Sequence, residues 1–217
     1  MENIRCYFAL RIFIVAAVGV LAYLAQQQAQ AMQQDSGAQD VGGGFFSGMV
    51  DTVNSTITNI TASVPDALKD ANVQAFLALV RVGEGTSDAA GYSRLFGGAQ
   101  FASFAKHPGV KVPFGSSYST AAGAYQILAS TWAEISAQYA LPDFSPASQD
   151  IAAVGLIKRR GALGDVLAGR MATAIQKCNR EWASLPGSPY GQPTLTMERA
   201  TLILAAQGVY SIESMAA

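Results

Sequence analysis

The chain has 217 residues and a formal net charge of −1, from 14 basic and 15 acidic side chains. This balance excludes a binding mode that depends on a strong basic field, and we predict no nucleic-acid partner. Two cysteines, Cys6 and Cys178, and one histidine, His107, are too few for a disulfide framework or a Cys/His zinc cluster. We therefore predict no metal site and no cofactor. The length accommodates one ordinary domain with appendages.

Residues 1–25 are predicted to be a signal-anchor or a signal peptide. Arg5 and Arg11 precede an uncharged run over residues 12–25, which is shorter than the roughly 20 residues of a typical membrane helix. Residues 6–25 would contact the membrane if Arg11 reaches toward the headgroups. The alternative is export followed by cleavage after Ala31. We expect a membrane-anchored protein whose remainder lies on the periplasmic or external side.

Residues 26–65 are predicted to be a flexible linker, because their first half is polar and rich in glutamine and glycine. Two interpretations are open for residues 45–64. Their apolar side chains contact a membrane or a partner, or the segment forms a short helix with no further role. A compact domain is predicted over residues 66–217.

The stretch from Val73 to Thr86 places one carboxylate at the end of an apolar helix. Asp70 is the expected N-cap, and a core-facing stripe follows at three-and-four spacing: Val73, Phe76, Leu77, Leu79 and Val80. Glu84 extends this stripe and lies between two glycines that end the helix. Partial burial and the helix dipole both raise the pKa of such a carboxyl, as a general acid requires. The alternative is an ordinary exposed residue before a glycine stop.

The remainder of the domain is predicted to be mostly helical with a minor β element. Short strand-like pieces are expected at 94–96 and 111–114. Helices are predicted over 121–139, after Ser145-Pro146, over 172–185 and over 196–206. Trp132, Trp182 and Cys178 lie at helical spacing with apolar residues and are expected in the core.

Six ordered strings in this domain resemble the phage lambda endolysin family: GEGT (83–86), KHPG (106–109), STAAGAYQIL (119–128), DFSPASQD (143–150), RGAL (160–163) and WASLPGSPYGQ (182–192). The resemblance covers roughly residues 71–192 and does not extend to residues 1–65. It implies an α+β, mostly helical, lysozyme-like fold with two lobes and a saccharide cleft. The N-terminal hydrophobic helix and tether would precede this fold.

The implied activity is lytic transglycosylation of peptidoglycan glycan strands, for host lysis or local wall penetration by a phage. The reaction cleaves the β-1,4 bond between N-acetylmuramic acid and N-acetylglucosamine and leaves a 1,6-anhydro ring. Carried over to GEGT, the catalytic acid is Glu84. A muramidase of the phage T4 lysozyme type would place an aspartate nine residues later, where this chain has Ser93, although Asp88 is an alternative helper. A hydrolysing muramidase and a non-catalytic virion or wall-binding protein are the alternative functions.

Polar residues in the other strings are candidates for sugar contacts, because amide, hydroxyl and phenol groups bond acetamido and hydroxyl groups. The predicted substrate-binding residues are Ser119, Tyr125, Gln126, Tyr190, Gln192 and Tyr92. Core packing of Tyr125 and helix capping by Ser119 are the alternatives. His107 is expected to hold its loop rather than act as a base.

Overall fold

The computed structural model describes residues 43–209, with side chains described from residue 47. These residues fall into two compact units, one ending at Thr61 and the other beginning at Ala62. The helices are α1 (Gly43–Thr61), α2 (Val64–Ala67), α3 (Ala71–Gly83), α4 (Ala129–Tyr139), α5 (Pro146–Arg159), α6 (Leu163–Leu167), α7 (Met171–Cys178) and α8 (Met197–Ala206). Two strands, β1 (Val112–Phe114) and β2 (Ser117–Ser119), form an antiparallel hairpin.

Helix α1 occupies part of the segment predicted to be a flexible linker. Its threonine hydroxyls donate to the carbonyl oxygens four residues earlier, as Thr52 does to Gly48 and Thr56 does to Thr52, at 2.8 and 2.9 Å. The hydroxyl groups of these threonines therefore have their hydrogen-bond partners within the helix itself. Residues 43–61 are therefore helical where the sequence predicts a flexible linker, and the role of this segment stays a prediction.

The hydrophobic segment predicted over residues 6–25 lies outside the described residues. Between residues 43 and 209, no helix combines the length and the apolar character needed to cross a membrane.

Helix α3 is the centre of the second unit, as its apolar stripe predicts. Asp70 caps it by accepting from the backbone N–H groups of Asn72 and Val73 at 2.9 and 3.3 Å. All five stripe residues are buried, and α3 packs against α5, α6 and α8. Because α3 is surrounded in this way, its C-terminal end has a fixed position in the fold.

The helix predicted over residues 121–139 begins only at Ala129, so this prediction is wrong for residues 121–128. Ala122 and Ile127 instead exchange two backbone hydrogen bonds, at 3.1 and 2.9 Å, around a four-residue loop. Gly123 (φ +79°) and Gln126 (φ +45°) in that loop have left-handed backbone conformations. The cause is tertiary, because the buried Gln149 side chain accepts from the Ala124 N–H at 2.8 Å.

The helix predicted over 172–185 is also shorter than expected, since α7 ends at Cys178. The chain then turns, and the Trp182 indole N–H donates to the Tyr125 carbonyl at 3.1 Å. Trp132, Trp182 and Cys178 are buried, as predicted. Ser145 caps α5 and Thr196 caps α8, so both of these helices begin where the sequence indicates.

Candidate active site

The end of α3 opens into two adjoining cavities of about 350 and 620 Å³. Their lining includes residues of the loop at 94–98, of the β1–β2 hairpin and of the segment 180–193. Five residues line both cavities: Glu84, Phe96, Gln126, Ala183 and Gln192. The two cavities therefore form one elongated cleft with Glu84 at the junction.

The backbone around Glu84 follows from the glycine that comes after it. Gly85 has φ +67°, and the N–H groups of Gly85 and Thr86 donate to the carbonyls of Val82 and Arg81 at 3.2 and 2.8 Å. This pair of bonds is a Schellman motif, which ends α3 at a defined residue. The Thr86 hydroxyl also donates to the Ala124 carbonyl, so the GEGT turn is tied to the 123–126 loop.

Burial raises the pKa of the Glu84 carboxyl above its usual range. The negative end of α3 acts in the same direction, because Glu84 is the C-cap of that helix. The Ser184 hydroxyl donates to Glu84 Oε1 at 2.7 Å, and hydrogen bonds from the Ser184 side chain and backbone oppose the rise. A carboxyl in this setting holds its proton at a higher pH than an exposed glutamate and has one oriented oxygen.

Five of the six predicted sugar-contact residues line the cleft with Glu84, namely Ser119, Tyr125, Gln126, Tyr190 and Gln192. Gln126 is oriented by its amide N–H₂, which donates to the carbonyls of Gly123 and Arg94 at 3.0 and 3.3 Å. Tyr190 is 56% exposed and presents its ring to the cleft while its hydroxyl donates to the Arg180 carbonyl at 3.0 Å. Contact between these residues and a sugar stays a prediction.

Tyr92 lines neither cavity. Its hydroxyl and that of Tyr125 both donate to Asp150 Oδ1, at 2.8 and 2.6 Å, and the Arg81 guanidinium lies 4.7 Å from the Tyr92 ring centroid. Tyr125 is itself 2% exposed. This polar network lies behind the cleft and connects α3, the 123–126 loop and α5.

Two other acids near the cleft are neutralised by arginines. Asp88 lines neither cavity, is exposed, and pairs with Arg94 at 2.7 Å. Glu181 lines the larger cavity, but its side chain is only 7% exposed and pairs with Arg159 and Arg160 at 2.9 and 2.8 Å. Among the described residues that line the cleft, Glu84 is the carboxylate without a cationic partner.

His107 holds its loop, as expected. Its Nε2 donates to the Ile127 carbonyl at 2.9 Å, and its Nδ1 accepts from the Gly109 N–H at 3.1 Å. Burial lowers the pKa of this imidazole, which agrees with a neutral ring that bonds through both nitrogens.

Sequence reasoning did not single out Ser184 or Phe96. Ser184 lies within the WASLPG string, yet it meets Glu84 across 100 positions of sequence. No local pattern indicates that contact.

With this geometry established, comparison with known proteins identifies the family. The endolysin family model matches residues 74–209, which include Glu84 and every predicted sugar-contact residue. This chain belongs to the endolysin family. The endolysin of Escherichia phage P2 is 38% identical over 153 residues, covering 63% of this chain and 93% of the relative. The endolysin of Escherichia phage lambda is 40% identical over 126 residues, covering 55% and 80%.

Solved structures show the same similarity for this endolysin. A bacteriophage lambda lysozyme complexed with a chitohexasaccharide has a TM-score of 0.62 and 34% identity, covering 65% of this chain and 96% of that one. A second solved structure, of lysozyme from bacteriophage lambda, has a TM-score of 0.57 and 35% identity, and the match covers 64% of this chain and 93% of that one. The predicted fold class, lysozyme-like and mostly helical with a small β element, is confirmed for the described residues.

The membrane-anchored location predicted from residues 6–25 is wrong. The P2 endolysin is matched over 93% of its length by 63% of this chain, so the relative has almost no sequence left that could correspond to a separate anchor. The membrane partner predicted for this endolysin is withdrawn with the location.

Proposed function

We propose that this endolysin is a peptidoglycan lytic transglycosylase with Glu84 as its single catalytic acid and base. Its family places it among enzymes that degrade peptidoglycan during phage lysis. The finer assignment is supported by one observation above all. Glu84 lies half-buried at the junction of the two cavities, and Asp88 and the cleft-lining Glu181 are paired with arginines.

The reaction begins when the neutral Glu84 carboxyl donates its proton to the glycosidic oxygen between N-acetylmuramic acid and N-acetylglucosamine. The bond from that oxygen to C1 breaks, and oxocarbenium character develops at C1. The Glu84 carboxylate then accepts the proton of the muramic acid C6 hydroxyl while O6 bonds to C1. This closes the 1,6-anhydro ring, returns Glu84 to its acid form and consumes no water.

The side chains around Glu84 support this sequence of steps. The Ser184 hydroxyl orients one carboxyl oxygen and stabilises the carboxylate formed in the first step. Ser119, Gln126, Gln192 and the Tyr190 ring line the cleft where a glycan strand would lie, so we assign them to sugar contacts. Tyr125 and Tyr92 support the cleft indirectly, because their hydroxyls both donate to Asp150 in the polar network behind it.

A hydrolysing muramidase would need a second group to activate water or stabilise C1. Ser93 occupies the position nine residues after Glu84, and its hydroxyl donates to the Ala90 carbonyl at 3.0 Å. Asp88 is held by Arg94. These contacts favour the one-carboxylate reaction over hydrolysis. A protein that only binds the wall would gain nothing from a half-buried acid, whose charge costs free energy when the group is desolvated.

Mass spectrometry of the muropeptides released from purified sacculi tests the proposal. A transglycosylase releases anhydro ends that resist borohydride reduction and are lighter by one water than the reducing ends of a hydrolase. Glu84→Gln is expected to lower the rate by at least about 10³-fold, because it removes the only acid and base. Glu198→Gln, on the exposed face of α8, is the matched control and is expected to keep full activity.

Folding of the Gln variant can be checked independently. Burial raises the pKa of Glu84, so ionisation at neutral pH weakens the folded state, and Glu84→Gln is expected to melt no lower than wild type at pH 7. The difference should shrink as the pH falls through the raised pKa of Glu84 and should vanish below the usual glutamate range. Reducing ends from the wild type would overturn the transglycosylase assignment. Full activity of Glu84→Gln would overturn the assignment of Glu84.

A further inference from the structure

The wall of the larger cavity carries a cluster of three arginines and one buried glutamate. Arg159, Arg160, Arg180 and Glu181 all line this cavity. Glu181 binds both Arg159 and Arg160, and Arg159 also pairs with Glu134 at 3.2 Å. The positive charges of Arg159 and Arg160 are therefore balanced by the negative charges of Glu134 and Glu181. Arg180 is left as the uncompensated positive charge, and it forms no ion pair with any of residues 43–209.

The backbone of Arg180 is held in place from two sides. Its carbonyl accepts from Arg160 Nη2 at 3.2 Å and from the Tyr190 hydroxyl at 3.0 Å. On either side in sequence, Cys178 and Trp182 are buried in the core. The backbone of Arg180 is thus fixed at the wall of the larger cavity, so only its side chain has to be ordered against a ligand.

A planar guanidinium matches a carboxylate through two parallel hydrogen bonds. In a peptidoglycan strand, the sugars carry only neutral acetamido and hydroxyl groups. The anionic groups are the carboxylates of the stem peptide or, on an unsubstituted muramic acid, of the lactyl side chain. Both sources are attached at the muramic acid, the sugar that the proposed reaction modifies.

We infer that Arg180 binds a carboxylate carried by the muramic acid side chain, so that the cleft distinguishes wall glycan from neutral chitin-like glycan. This inference rests on the proposed function. It makes Arg180 a specificity-determining residue, with Arg160 and Tyr190 as positioning residues. Because Glu181 already forms ion pairs with Arg159 and Arg160, the carboxylate of the ligand binds to Arg180.

The test compares Arg180→Gln with the wild type on three substrates. These are intact sacculi, amidase-treated glycan strands with free lactyl carboxylates, and the same strands after conversion of those carboxylates to methylamides. Arg199→Gln, at an exposed position of α8 outside the cleft, has the same change in net charge and is the matched control. Arg180→Lys retains the charge and is expected to recover most of the loss.

Arg180→Gln is expected to lower kcat/KM about fivefold on a carboxylate-bearing substrate, the upper range for a solvent-exposed ion pair, and to leave it unchanged on the methylamide strands. Loss on sacculi alone identifies a stem-peptide carboxylate, loss on the amidase-treated strands alone identifies the lactyl carboxylate, and loss on both shows that Arg180 binds either one. Equal loss on all three substrates, or no loss on any, overturns the inference. A wild type that cleaves none of them overturns the proposed function instead.

Discussion

At the scale of single residues, the chemistry of the cleft depends on the opposing effects on Glu84. Burial and the negative end of α3 favour the neutral acid, whereas the hydrogen bonds from Ser184 favour the carboxylate. A carboxyl group that acts first as an acid and then as a base must be able to adopt both its neutral and its ionised form. Gly83 permits this contact, since a Cβ there would lie 2.5 Å from the Ser184 hydroxyl oxygen.

Replacing Ser184 with alanine is expected to change the pH dependence of the reaction. The Ser184 hydroxyl lowers the pKa of Glu84, so its removal raises that pKa and keeps Glu84 protonated to higher pH. The alkaline limb of the kcat profile should therefore move to higher pH. The rate at the optimum should fall about fivefold, because one orienting hydrogen bond is lost.

Ser93→Ala is the matched control for this profile, because the Ser93 hydroxyl donates to the Ala90 carbonyl of its own turn and Ser93 lines neither cavity. Its alkaline limb should coincide with that of the wild type. If the Ser184→Ala limb moved to lower pH, the assigned effect of Ser184 on Glu84 would be contradicted.

At the scale of elements, the loop over residues 123–126 connects the GEGT turn to the residues that we propose to contact sugars. It places Gln126 in the cleft, accepts the Thr86 hydroxyl, and is held by the amide of Gln149. Gln149 is fully buried and also donates to the carbonyls of Tyr92 and Phe144 at 3.0 and 2.8 Å. One side chain of α5 therefore supports the loops on two sides of the site.

Gly123→Ala is expected to destabilise the protein by about 2–4 kcal/mol, because it combines backbone strain with overpacking. Gly123 has φ +79°, and a Cβ would lie 2.2 Å from Gln149 Oε1. Gly161→Ala is the matched control, since Gly161 has φ +70° with no atom within 4 Å of its Cβ position. Strain alone should cost that variant about 1 kcal/mol.

Urea denaturation of both variants measures the difference, and the rate on sacculi should fall only for Gly123→Ala. Equal stability of the two variants would contradict the packing of Gln149 against this loop.

At the scale of the whole molecule, all the parts of the candidate site belong to the second unit. The cleft, the polar network behind it and the family match all lie between residues 62 and 209. Helix α2 belongs to this unit as well, since Val64 and Ala67 are buried and α2 packs against α5. We therefore propose that this unit is the catalytic domain.

A variant that begins at residue 62 is expected to melt cooperatively and to retain full kcat/KM on soluble glycan strands, because a domain with its own core folds independently. A variant that begins at Ala71 is the control. It lacks the Asp70 cap and the buried Val64, and should be at least about 2 kcal/mol less stable. Loss of folding or activity on starting at residue 62 would show that earlier residues belong to the domain.

Sequence alone determined the features that depend on local spacing. The apolar stripe and cap of α3, the caps of α5 and α8, and the position of Glu84 at a glycine-flanked helix end follow from periodicity and turn chemistry. Six ordered motifs were sufficient to indicate the family. The position of Glu84 at the end of α3 was therefore predictable from the sequence.

Only the tertiary structure decided the remainder. Residues 121–128 have a helix-compatible pattern, yet buried hydrogen bonds hold Ala124 in a loop, because its carbonyl accepts from the Thr86 hydroxyl and its N–H donates to Gln149 Oε1. Ser184 reaches Glu84 through a contact between segments far apart in sequence, and Glu181 pairs with Arg159 and Arg160 in the same way, which leaves Arg180 without a counter-charge among residues 43–209. Such contacts arise when the chain packs around α3, and no local sequence pattern encodes them. This is the physical reason why the acid could be predicted from sequence but its partners could not.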